Sequence, residues 1–98
     1  MTNLASIYTN QKNVAVSGVP EKLPSRPVPP GIRATIKAKD SNTDNITIAY
    51  SSAAALHTSG LFFSLPPGVA YDAQVTNINA IWIDSFVNGE GVEIIFEE

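Results

Sequence analysis

Strict two-residue alternation begins at Ile32. Ile32, Ala34, Ile36 and Ala38 alternate with Arg33, Thr35, Lys37 and Lys39, which predicts a strand with one buried face and one basic, wet face. Six turn-forming residues, Asp40 to Asn45, stop it. Ile46, Ile48 and Tyr50 then alternate with Thr47 and Ala49 in a second strand. Leu61, Phe63 and Leu65 make a third, ended by Pro66-Pro67-Gly68. Val69, Tyr71, Ala73 and Val75 follow, opposed by Asp72 and Gln74. Residues 78–85 place Ile81 and Ile83 on one side and Ala80 and Trp82 on the other, so that strand is apolar on both faces. In 91–96, Val92, Ile94 and Phe96 face inward while Glu93 and Glu97 face out. Between these two lies Asn88-Gly89, the strongest short hairpin signal in the chain. Residues 51–58 are compatible with one helical turn or with a small-residue crossing between sheets. Strands at this spacing describe an all-β sandwich or small barrel, and the expected fold is a small antiparallel β-sandwich, jelly-roll-like. Trp82, Phe63 and Ile94 are expected in its core.

The first third of the chain has a different grammar. Pro20, Pro24, Pro27, Pro29 and Pro30 fall within eleven positions and are closed by Gly31. Proline fixes φ and gives no ladder donor, so the stretch favours extended chain over helix or central strand. The expected organisation is an extended proline-rich N-terminal arm, residues 1–31, ahead of a β-sandwich body, residues 32–98. A short strand at 13–17, with Val14 and Val16 on one side, is expected within the arm.

Charge sharpens this division. Residues 1–39 hold all six bases against the single Glu21, a net +5, while residues 40–98 hold eight acids and no base, a net −8. Such asymmetry points to interaction between copies or with a partner. Only 15% of residues are charged, against about 25% in typical globular domains, so some surface is expected to be covered. There is no cysteine, which excludes disulfides and thiolate metal sites. The N-terminus lacks the pattern of a secretory signal, and no apolar run has membrane-span length.

Candidate chemistry is sparse. His57, the only histidine, reads as a loop residue rather than a general base, since no local pattern supplies partners. Asp84, Glu90 and Glu93 flank the last loop but match no cation-binding spacing, and read as solubilising or edge-guarding groups. Trp82, Tyr50 and Tyr71 are the candidates for an aromatic platform, with Trp82 expected instead in the core or a subunit interface. The basic arm has no aromatic interleaving and precedes an acidic body, which argues against nucleic acid. No catalytic residue, cofactor or metal ligand is expected, and the chain is read as no enzyme.

The order Leu23-Pro24-Ser25, Ile32 to Ala38, then Asn42-Thr43 leading into Ile46 to Tyr50 resembles small virion proteins of tailed bacteriophages. The resemblance continues through Ser59-Gly60-Leu61, Leu65-Pro66-Pro67-Gly68 and Val75-Thr76-Asn77-Ile78-Asn79. It ends in Ile81-Trp82-Ile83-Asp84 and Val87 to Val92, covering residues 23–98, with Asp44 where such proteins usually have glycine. It implies a capsid decoration or cement protein on the virion surface, made in the host cytoplasm. The implied partners are the major capsid protein or another virion protein, with a homo-oligomer, trimer ahead of dimer, and neither nucleic acid nor membrane. A neck, tail or baseplate subunit is the first alternative, and a carbohydrate-binding sandwich the second. Val14, Val16, Lys22, Arg26 and Trp82 are the interface residues expected, with the basic arm reaching an acidic surface of a neighbour.

Overall fold

The computed structural model describes residues 6–98. Among the described residues eight strands form: β1 (Ile7–Asn13), β2 (Glu21–Lys22), β3 (Ala34–Ala38), β4 (Ile46–Ala49), β5 (Phe63–Leu65), β6 (Ala70–Ala73), β7 (Trp82–Ser85) and β8 (Gly91–Glu97). A single helical turn, α1 (Ser52–Ala55), follows β4, which decides between the two readings of residues 51–58. The Ser51 side chain caps it by accepting from the Ala54 N–H at 3.1 Å. A 3₁₀ turn, Ile78–Ala80, precedes β7 and shortens the strand expected over 78–85.

The strands form two antiparallel sheets, ordered β1-β8-β3-β6 and β2-β7-β4-β5. This interleaving is the double Greek key of a jelly roll, a choice among sandwich topologies that alternation left open. Alternation set the inward faces of the central strands correctly. Ile36 stands opposite Ile94 in the first sheet and Ile48 opposite Ile83 in the second, and all four are buried. Ala34, Ala38, Val92, Ile46, Leu65 and Ile81 complete the middle of the core.

The segment expected as an arm is extended, but it is not a separate unit. Residues 7–13 are an edge strand paired along their whole length with β8, and Glu21 and Lys22 pair with β7. Farther on, the chain runs beside residues 76–81. Leu23 N–H donates to Ile81 O, Val28 N–H to Thr76 O, and Ile78 N–H returns to Arg26 O, all within 3.0 Å. The prolines donate nothing, and the residues between them make the bonds. Val14, Leu23 and Val28 are buried with the core. The division at residue 31 is therefore no boundary, because the sandwich has no other residues to occupy the β1 and β2 positions. The strand expected at 13–17 ends instead at Asn13, where the chain turns, sending Val14 inward and leaving Val16 exposed.

Asn88-Gly89 does make a turn, with Gly89 at φ +82°. It does not close a hairpin. β7 and β8 belong to different sheets, and the turn's backbone bonds to the end of β1: Gly89 N–H to Val14 O at 2.7 Å and Val14 N–H to Glu90 O at 2.8 Å.

Of the glycines, Gly91 leaves the least room for a side chain. It pairs with Asn13, and a Cβ there would run into the Lys12 carbonyl oxygen and lie 2.6 Å from Asn13 Cα. Both obstacles are backbone and neither can swing aside. Asn42 also closes on Gly91, donating from Nδ2 to its carbonyl at 2.8 Å and accepting from its N–H at 3.2 Å. Gly91→Ala is expected to destabilise by roughly 3 kcal/mol or more, since neither strand can yield without losing ladder bonds. Urea unfolding checks this, and a midpoint within experimental error of the parent would refute the packing described.

The charge split is also resolved by strand order. The acidic strand β8 lies between β1 and β3, which carry basic residues, and Glu93 stands in register with Gln11 and Lys37. Lys12 pairs with Glu21 at 2.9 Å, Arg26 with Glu98, and Lys37 with Asp40 at 3.2 Å. The Arg26–Glu98 pair and the Lys37–Glu93 register thus bring the two halves together, whereas Lys12–Glu21 lies within the basic half and Lys37–Asp40 joins near neighbours.

Candidate functional site

Two surface features stand out, and α1 lies beside both. The first is a cleft of about 470 Å³ where the edge strands β5 and β6 face each other across the open side of the sandwich. Tyr50, Leu61, Phe63 and Tyr71 wall it, and the buried side chains of Ile48 and Ile81 form its floor. Phe63 was expected in the core. It shares the inward parity of Leu65, but β5 is an edge strand and Phe63 is 60% exposed. Its ring instead packs against Tyr71, with centroids 5.6 Å apart and planes at 45°. Burial, together with the hydroxyl of Tyr71, raises the Tyr50 phenol above the usual tyrosine range. No residue lining this cleft is charged.

The second feature is built on Asp84. Parity puts Asp84 on the outer face of β7, where a carboxylate was expected to meet water, yet it is fully buried. The chain after α1 folds back over this face. Thr47, beside Asp84 in register, donates its hydroxyl to the Ala55 carbonyl and holds the cover down. The carboxylate accepts from Gly18 N–H (3.0 Å), Ser85 N–H (2.8 Å), His57 N–H (2.8 Å) and His57 Nδ1 (2.9 Å). An ionised carboxylate only accepts, so Nδ1 carries the ring proton. Burial opposes the charged form, but the donors from His57, Ser85 and Gly18 outweigh it and hold the Asp84 pKa below its usual value.

His57 is thus a loop residue, as expected, with a partner that no local pattern revealed. A histidine oriented by a buried aspartate is also half of an acid–base constellation. Two neighbouring hydroxyls donate within the fold, Ser17 to the Ser85 carbonyl at 2.7 Å and Ser59 to the Ala54 carbonyl at 2.6 Å. The pair therefore acts as a clasp joining the loop at Gly18, the loop at His57 and strand β7.

Around the clasp is an apolar rim. Ser17 N–H donates to Asn88 Oδ1 at 2.7 Å, stitching the loop after β1 to the loop before β8. These loops expose Val16, Val19, Phe86 and Val87, and the Phe86 ring packs 5.0 Å from that of His57.

The remaining sequence expectations land as follows. Val14 is fully buried and so is not available to a neighbour, whereas Val16 is exposed on the rim. Arg26 is taken up within the chain: it pairs with Glu98, and its guanidinium lies 4.8 Å from the Tyr8 ring centroid. Lys22 lies over Trp82, 5.7 Å from the ring centroid. Trp82 is half-buried on the outer face of the second sheet and is not a core residue, because Ile81 and Ile83 take the inward positions. Of the three residues expected in the core, Ile94 alone is there. Asp84, Glu90 and Glu93 do not converge. Glu90 accepts from Thr43 N–H at 2.6 Å, Thr43 Oγ1 at 2.7 Å and Asp44 N–H at 3.2 Å, pinning the turn after β3. Asp44 fits that turn without a positive φ, which every non-glycine residue among those described avoids.

Fold and surface together define a small jelly-roll sandwich with two exposed apolar features. Compared with known proteins, the chain matches no family model, no curated protein and no solved structure.

Proposed function

We propose that this chain is a non-enzymatic structural protein of a tailed-phage virion, a decoration or cement subunit of the capsid exterior that works as a homo-oligomer. The observation that carries the reading is the apolar rim of Val16, Val19, Phe86 and Val87 on a body so poor in charge. Exposed apolar side chains carried on a stitched pair of loops are disfavoured in water and suit a protein contact. The jelly roll hosts capsid subunits among other functions, so the fold is compatible with the reading without establishing it. The sequence resemblance to small virion proteins supports it independently. A neck, tail or baseplate subunit would use the same rim, and copy number in particles separates the two.

With three of the six bases already paired inside the chain, charge is left a smaller part in assembly than the sequence suggested. Light scattering of the full chain is expected to give a trimer or dimer whose mass persists as salt is raised, because burial of apolar surface is not screened. The double variant Val19→Ser/Phe86→Ser is expected to be a folded monomer. A monomeric parent at the highest attainable concentration, or an oligomer indifferent to the double variant, would overturn the rim as the contact.

A further inference from the structure

We propose that the cleft between β5 and β6 is a binding site for a neutral, hydroxyl-bearing ring, the pyranose unit of a glycan. This goes beyond the assembly proposed above and uses none of the rim residues. The argument starts from shape. About 470 Å³ lies within the range of roughly 300–1,000 Å³ common for small-molecule sites. The walls are aromatic and accessible: Phe63 and Tyr71 meet at a tilt of 45° and so present two differently inclined faces.

The chemistry of the lining selects the ligand. A charged molecule would be desolvated here with no opposite charge to meet it, which is costly. A purely apolar molecule would bury the phenol oxygens of Tyr50 and Tyr71 without replacing their water contacts. A pyranose fits both constraints. Its axial C–H face is apolar and lies on an aromatic ring, and its equatorial hydroxyls reach outward to hydrogen-bond. Tyr50 and Tyr71 supply hydroxyls that donate or accept, and Ser51 adds a third at the same wall. Leu61, 76% exposed on the opposite lip, contributes apolar contact without competing for hydrogen bonds.

The test is a titration of the full chain with neutral oligosaccharides of glucose, galactose, mannose and N-acetylglucosamine, followed by NMR of the aromatic rings. At least one series is expected to give saturable shifts at Tyr50, Phe63 and Tyr71 while Trp82 stays still. Tyr71→Phe keeps the ring and removes one hydroxyl, and is expected to weaken binding by about tenfold, one net hydrogen bond. Leu61→Ser, at an exposed position that leaves the core intact, is expected to weaken it less. Ile7→Ser, exposed on the opposite edge strand β1, is expected to leave sugar binding unchanged. Three results would overturn the proposal: no saturable shift with any of the sugars, shifts that Tyr71→Phe leaves unaltered, or movement of the same resonances on dilution of the protein alone. The last would make the cleft a contact between copies.

Discussion

A chain shortened to residues 32–98 is expected to be unfolded. The deletion removes β1 and β2, and with them the whole of one outer ladder of the first sheet. It also removes Val14, Leu23 and Val28 from the core. Full burial of such a side chain is worth about 1.5–3 kcal/mol, so three approach the net stability of a small domain, about 5–15 kcal/mol. The loss of ladder bonds and the exposure of the β8 edge come on top of that. Far-ultraviolet circular dichroism and amide NMR dispersion check the outcome. A cooperatively folded 32–98 fragment would show that the first third is a detachable arm after all. Leu23→Ala offers a milder version of the same test. It is expected to cost about 2–5 kcal/mol, as for other buried leucines, whereas an arm residue resting on a separate body would cost far less.

Asp84→Ala is expected to have the largest effect of any single side-chain removal outside the apolar core. It leaves the N–H groups of Gly18, Ser85 and His57, and the His57 ring, without their acceptor at a site closed to water. Breaking a buried, charged hydrogen-bond centre of this kind costs about 3–5 kcal/mol. The loops at Gly18 and His57 are expected to loosen together, and their amides to exchange faster in the variant. His57→Ala removes one donor and leaves the others, so it is expected to cost less. The same centre fixes a pH dependence. Its folded pKa lies below its ordinary value, so the stabilisation is complete above the unfolded pKa of about 3.9 and is lost as pH falls through the lower folded value. Urea midpoints of the parent should therefore fall below about pH 4 more steeply than those of Asp84→Asn, which cannot titrate there. Parallel profiles would remove Asp84 from the account.

Much of the body was legible because its central strands have unlike faces. In β3 and β8 an inward apolar set alternates with an outward polar one, and a slip of one residue would invert both. β1 gave no such signal. Thr9, Asn10, Gln11 and Lys12 leave it nearly uniformly polar, as suits an edge strand, and it is a strand because β8 offers its backbone a ladder. Phe63 illustrates the converse: its parity was read correctly, but parity does not say whether a strand is central or at an edge. The cleft was half visible, since Tyr50 and Tyr71 were singled out as aromatic candidates while Phe63 was assigned to the core. Asp84 was read as a solubilising or edge-guarding group, and the cover supplied by the chain after α1 was not foreseeable from alternation.

By itself the sequence determined which residues turn, which are extended and, for the central strands, which face is apolar. Those properties depend on φ preferences and on neighbours one or two positions away, so they are written locally. Tertiary structure alone decided the strand order, the placement of the proline-rich segment on its own sandwich, and the pairing of basic β1 and β3 with acidic β8. It also decided the burial of Asp84 beneath a distant histidine. Each of these depends on contacts between residues far apart in the chain, whose free energy is realised only when two closed sheets bring them together.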